Sequence, residues 1–282
     1  DKQAGSIILT MTPLSGMTEL MKQFLMPKDG GLAATGVVQH SGRVYVQAGW
    51  EDNPHISEDE REALLRKTPA HELEARQLGV PALGSGVVFP VAESTIKVEP
   101  FKIPSYWPQV YGMDFGWTNP TAAVFAAHDR DNDIVYIYGE YAQSERTPQS
   151  HALSLMDMGA DWMEGVCDPA GQQSDKADGQ SLIDLYNRHG LNLTQAENGV
   201  EMGIQEVLER MREGRLKVFS TCEKWFGEFR MYARDDKGRV KKANDHLMDA
   251  TRYLVVSGLG YARTKQEAER RYSFQYRSAA TY

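Results

Sequence analysis

Apolar and polar positions change rhythm near residue 110. Upstream they come in short, broken runs. Downstream, the stretches Val110–Phe115, Thr121–His128 and "IVYIYGEY" are near-continuous in Val, Ile, Tyr, Phe, Thr and Ala, with the turn "RDND" before the last. These predict three successive strands. Helical spacing then takes over in "TPQSHALSLMDMGA", capped near Thr147, in "GQSLIDLYNRHG", ended by Gly190, and in "GVEMGIQEVLERMREGRL", ended near Gly214. Short strands are predicted between them at "EGVCDPAG" and "LKVFS". "WFGEFRMYAR-DDKG-RVKKA" reads as a hairpin on a DDKG turn, and "NDHLMDATRYLVVSG" as a helix capped by Asn244. Three strands followed by alternating helix and strand predict an α/β domain with a mixed sheet flanked by helices.

The upstream third reads differently. "SIILT" is a short buried strand, "LSGMTELMKQFLMP" a helix stopped by Pro27, and "VVQHSGRVYVQAGW" a strand pair. Two helices follow in "DNPHISEDEREALLRKTPAHELEARQLG". Ser57 with Glu60 makes a capping-box start, and Pro69 marks the break. Prolines, glycines and serines between Val80 and Pro108 suit a linker. The expected division is 1–80, a smaller α/β unit; 81–107, linker; 108–260, the main domain; and 261–282, a basic and aromatic tail.

The chain has 282 residues and a formal net charge of −8. That balance argues against a generally DNA-adhesive surface but allows local basic strips. One strip carries Arg230, Arg234, Lys237, Arg239, Lys241 and Lys242 against Asp235 and Asp236. The tail from Arg263 sets Lys265, Arg270, Arg271 and Arg277 among Tyr272, Phe274, Tyr276 and Tyr282. Such interleaving suits nucleic acid, and equally a solvated tail. Cys167 and Cys222 lie far apart without zinc-type spacing, which predicts reduced structural thiols. No apolar run reaches the roughly 18 residues that a membrane span needs, and the start lacks a signal-peptide pattern. It also begins without Met, as a fragment of a longer chain would.

Asp114 falls inside a strand, where Asp is depleted. Asp168 ends a later strand before Pro169, and Asp245 opens the last long helix. Strand ends and helix starts on one side of an open sheet converge on one crevice. Carboxylates gathered there suit hard cations, Mg²⁺ or Mn²⁺, and two such ions serve phosphodiester hydrolysis. Each acid also has a plainer role: a turn cap for Asp114, an Asx-turn for Asp168, a dipole partner for Asp245. Asp249, one helical turn after Asp245, suits either a further ligand or an ion-pair partner. Glu140 and His246 are similarly ambiguous. "MDFGWTNPTAAV" also resembles the first phosphate loop of actin-like and sugar-kinase ATPases, but the companion motifs do not follow. A non-catalytic docking module is the remaining alternative.

The strings "GMDFGWTNPTAAV", "VCDPAG", "GVEMGIQEVLERMREGRLKVF" and "EFRMYARDDKGRVKKANDHLMDATRY" resemble, in that order, large terminase subunits of tailed bacteriophages. The resemblance covers about Pro108 to Gly260. It implies a ribonuclease H-like nuclease domain that cuts concatemeric phage DNA during packaging. Its metal-binding acids fall on Asp114, Asp168 and Asp245, with Asp249 close to the third. It further implies double-stranded DNA, a portal protein and a small terminase subunit as partners, in the host cell cytoplasm. "IILTMTPLSG" is similar to the coupling motif of the family's packaging ATPase, and "WEDNPHISEDE" to the segment leading out of it. No phosphate loop of the form Gly-x-x-x-x-Gly-Lys-Ser/Thr is present, so ATP hydrolysis by this chain is not expected.

Overall fold

The computed structural model describes residues 8–12, 23–24, 43–68, 70–79, 86–172, 181–235 and 238–271. The buried strand expected at residues 6–10 is not seen in its described part, where residues 8–10 are irregular and exposed; most of the helix ending at Pro27, Lys237 and the tail beyond Arg271 lie outside the described residues. The upstream helices form as expected: α1 (Glu58–Lys67) and α2 (Ala70–Leu78). Ser57 accepts from the Glu60 amide, and Glu60 returns a carboxylate to the Ser57 amide. The strand pair expected before them is not seen in its described part, where residues 43–50 hold a single bridge position at Val44. A one-turn helix α3 (Glu93–Ile96) leads into β1 (Lys97–Val98).

The main domain is built on a seven-stranded sheet. Its three long strands are β2 (Gln109–Asp114), β3 (Thr121–Asp129) and β4 (Ile134–Gln143). Helix α4 (Pro148–Leu155), capped by Thr147, and the short strand β5 (Gly165–Cys167) follow. Then come α5 (Leu182–Arg188), β6 (Leu193–Gln195), α6 (Val200–Arg212) and β7 (Leu216–Phe219). Strand β6 is absent from the sequence expectations because "LTQ" is too short to show a period. The order across the sheet is β1-β7-β4-β3-β2-β5-β6. The β2–β3 and β3–β4 pairs are antiparallel; β2–β5, β5–β6, β4–β7 and β1–β7 are parallel. Helices cover both faces, so β3 is buried on both sides and reads as a continuous apolar run.

The expected hairpin needs correction. Residues Glu223–Met231 form a helix, α7; beyond it, among the described residues, Arg234 bridges Val240 and Ala233 bridges Val87. Trp225, Phe226 and Phe229 are all buried, at helical spacing, so burial of one aromatic stripe overrides the strand preference of aromatic residues. Glu140, at the end of β4, accepts the amides of Lys224 and Trp225 at 2.9 and 2.6 Å and so caps this helix from outside.

The last long helix, α8 (His246–Val256), crosses β2. Its N-cap is Asp245 rather than Asn244, and Asp245 makes no capping bond with its side chain. Asn244 instead takes a left-handed backbone (φ 55°), which Asn tolerates well. The approach is close because position 112 lacks a side chain: a Cβ on Gly112 would lie 2.2 Å from the Ala250 carbonyl. That contact sets the height of α8 over the strand that carries Asp114.

Candidate metal centre

Strand alternation decides which way Asp114 points. Tyr111 and Met113 enter the core layer beneath α4 and α5. Val110 belongs to the opposite layer with Leu247, Ala250 and Leu254 of α8. Asp114 shares the parity of Val110 and Gly112, so it faces α8. Strand β5 runs parallel to β2 with Met113 opposite Cys167, and the next residue, Asp168, donates its amide to the Met113 carbonyl at 3.1 Å. Asp168 therefore lies beside Asp114 at the carboxyl ends of two adjacent parallel strands.

Helix α8 supplies the third side. His246 Nδ1 lies 2.8 Å from Asp114 Oδ2. One turn on, Asp249 is 6% exposed and bonds to Lys242 Nζ at 3.2 Å and Arg252 Nη2 at 3.2 Å. Asp245 is also buried, 3.5 Å from Lys242 Nζ. Asp168 also takes its plainer role, with Oδ1 accepting the Ala170 amide at 2.9 Å. Asp114 does not cap its turn; Thr121 Oγ1 bonds to Gly116 there instead.

Burial pushes the Asp114 carboxyl up to about 6; the bond from His246 opposes this, while the charges of Asp249 and Asp168 add to it. The His246 imidazole is raised in turn, first by its bond to Asp114. Asp245 does not act on Asp114 directly: its charge is among those that raise His246 and Glu228, a buried acid on α7. The acids that press on Asp114 are thus Asp249 and Asp168.

The basic strip is largely engaged. Arg230 lies on α7 and forks on to Glu93 at 2.7 and 2.6 Å. Arg234 pairs with Glu201, and Arg239 with Asp235. Lys241 is exposed and makes no salt bridge among the described residues. Sequence reasoning missed Arg252 and Glu228. The spacing of Arg252, three residues after Asp249, is the one signal that pointed to it; nothing local marks Glu228.

Among the described residues, no group of three or more His, Cys, Asp or Glu side chains is arranged so that it could hold a metal ion. Asp114 is engaged by His246, and Asp249 by Lys242 and Arg252. The donor set itself, carboxylate oxygens around Asp114, whose carboxyl is raised first by burial and then by the charges of Asp249 and Asp168, fits a hard divalent cation.

Comparison with known proteins agrees with this architecture. Residues 111–257 match the terminase RNaseH-like domain. The chain belongs to that family. It is 34% identical over 253 residues to the large terminase subunit of Salmonella phage P22, covering 87% of this chain and 48% of that subunit. To the counterpart in Enterobacteria phage LP7 it is 34% identical over 272 residues, covering 94% and 54%. The chain therefore spans about half the length of the phage subunits it matches. The solved nuclease domain of the P22 large terminase superimposes with a TM-score of 0.60 at 35% identity, covering 66% of this chain and 99% of that domain. The large terminase of a thermophilic bacteriophage shares the fold, with a TM-score of 0.52 at 24% identity over 76% of this chain and 54% of that one. The terminase domain spans both core layers and all of α8. No described helix is long and apolar enough to cross a membrane.

Proposed function

We propose that this chain is the divalent-metal-dependent DNA endonuclease of a phage packaging terminase, cutting concatemeric viral DNA. The observation that carries this reading is the register of β2 and β5, which sets Asp168 beside Asp114 on the face crossed by α8. Asp114, Asp168 and Asp249 would hold the metal, Mg²⁺ or Mn²⁺, as two ions, which would supply polarisation of the phosphodiester and a lowered pKa for the attacking water. Asp245 stands behind these three as an outer acid. His246 orients the Asp114 carboxylate, and Arg252 does the same for Asp249. Arg239, Lys241 and Lys242 lead into α8 and meet the backbone of double-stranded DNA, with Arg234 further out and Arg230 supporting α7 through Glu93; Lys237, of the same sequence strip, is assigned to the same contact. Cutting needs no ATP. In the intact packaging machine, the portal protein and the small terminase subunit bring DNA to this site in the host cytoplasm.

The pH dependence follows from Asp114. A metal ligand must be ionised, and this carboxyl gains its proton as pH falls through about 6. Metal-free, the sign for stability is the reverse of the usual carboxylate. Between 3.8 and about 6 the native chain binds more protons than the unfolded one, so this group's contribution declines as pH rises across that window. Supercoiled plasmid incubated with Mn²⁺ and no ATP is expected to become nicked and linear. EDTA is expected to stop the reaction, and the rate at subsaturating Mn²⁺ to fall about tenfold per pH unit below pH ~6. Cutting that persists in EDTA, or that requires ATP, contradicts the proposal.

A further inference from the structure

Helix α8 carries Asp249 and His246, yet its start is not capped by its own sequence. The N-cap residue Asp245 makes no side-chain bond to the helix. An uncapped helix start leaves amides without partners, which is costly when the start is buried. Here the partner comes from another element. Glu228, on α7 and 9% exposed, accepts the Leu247 amide on Oε2 at 2.6 Å. Helix α7 is itself capped from outside by Glu140 of β4. Two carboxylates thus connect the sheet to the site helix: β4 fixes α7, and α7 fixes α8.

We infer that Glu228 is a positioning residue for the acidic centre, holding the first turn of α8 so that His246 and Asp249 face Asp114. The inference rests on the metal-binding role proposed above. A buried carboxylate is an expensive way to fill space. Its bond from the Leu247 amide and its place at the positive end of α8 account for its being there. Its neighbours across the interface are His246 and Asp245, whose charges it feels. Displacing the helix start shifts His246, which lies one residue from the capped amide, and with it the carboxylate that His246 orients. Partners of this kind act on metal affinity typically by 10–100-fold.

The test compares Glu228→Ala, Glu228→Gln and Glu228→Asp for Mn²⁺ affinity by calorimetry, for duplex affinity without metal, and for Leu247 amide exchange by NMR. Glu228→Ala is expected to bind Mn²⁺ about tenfold more weakly, to bind duplex unchanged, and to exchange the Leu247 amide faster. Glu228→Gln keeps an acceptor at the same reach and is expected to restore both quantities to within about twofold of wild type, the margin of a retained hydrogen bond. Glu228→Asp keeps the charge but shortens the reach, and is expected to behave like alanine. If Glu228→Ala does not fold, the Gln and Asp variants decide between acceptor position and charge. Wild-type Mn²⁺ affinity in folded Glu228→Ala, or a Gln variant as weak as Asp, overturns the inference. If wild-type protein binds no Mn²⁺, the proposed function fails, and amide exchange in the three variants alone decides whether Glu228 caps α8.

Discussion

Asp114→Asn is expected to lower plasmid cleavage by more than about 100-fold, beyond the 10–100-fold range of residues that only support metal ligands. The substitution preserves shape, so the loss measures charge and ligation. Stability is expected to move the other way. Burial and two neighbouring acids already push the Asp114 carboxyl up to about 6, so at pH 8 its charge is a cost to the metal-free fold. Asparagine removes that charge and leaves an oxygen that accepts from His246 Nδ1. Thermal unfolding of Asp114→Asn at pH 8 without metal is therefore expected at or above the wild-type temperature. A variant that cuts at the wild-type rate removes Asp114 from the centre; one that fails to fold makes it a structural residue.

The second large effect separates the two acids of α8. Asp249→Asn is expected to lose more than about 100-fold in cleavage, and Asp245→Asn no more than the 10–100-fold of a supporting group. Asp249 presses on Asp114, whereas Asp245 presses on Glu228 and approaches Lys242. Stability distinguishes them again. Arg252 is 2% exposed and Asp249 is its carboxylate partner. Removing that charge leaves Arg252 buried beside a neutral amide, a change that costs up to about 3–5 kcal/mol when a buried pair is fully broken. Asp249→Asn is thus expected to be inactive and less stable, and Asp114→Asn inactive but not less stable. Cleavage rates and metal-free unfolding of the two α8 variants check this ordering. A variant set in which Asp245→Asn is the more damaged reverses the assignment.

The parts legible in the sequence were those with a period or a punctuation mark. The three long strands, α4 with its Thr147 cap, and the helices ending at glycine were visible because burial on both faces, or on one stripe, writes itself into residue order. The terminase-like strings gave the ribonuclease H-like fold, and the family match supports it. Helix α7 was misread because Trp225, Phe226 and Phe229 favour strands in isolation, and only a core to bury them makes a helix. The basic strip looked like a free surface because its partners Glu93 and Glu201 are remote in sequence. Asp114 and Asp168 stood out by their local setting. The relation between them is a matter of strand register, which no local pattern encodes. Glu140 and Glu228 act on helices they do not belong to, and such caps leave no signature at either end.

The account rests most on where the metal sits. A crystal soaked in Mn²⁺, with diffraction collected at a wavelength where manganese scatters anomalously, locates the ion without reference to activity. Anomalous density is expected within coordination reach, about 2.0–2.3 Å, of carboxylate oxygens from Asp114, Asp168 and Asp249. Density bound by Asp245 away from Asp114, or no density at saturating Mn²⁺ in crystals whose site is open to solvent, contradicts it.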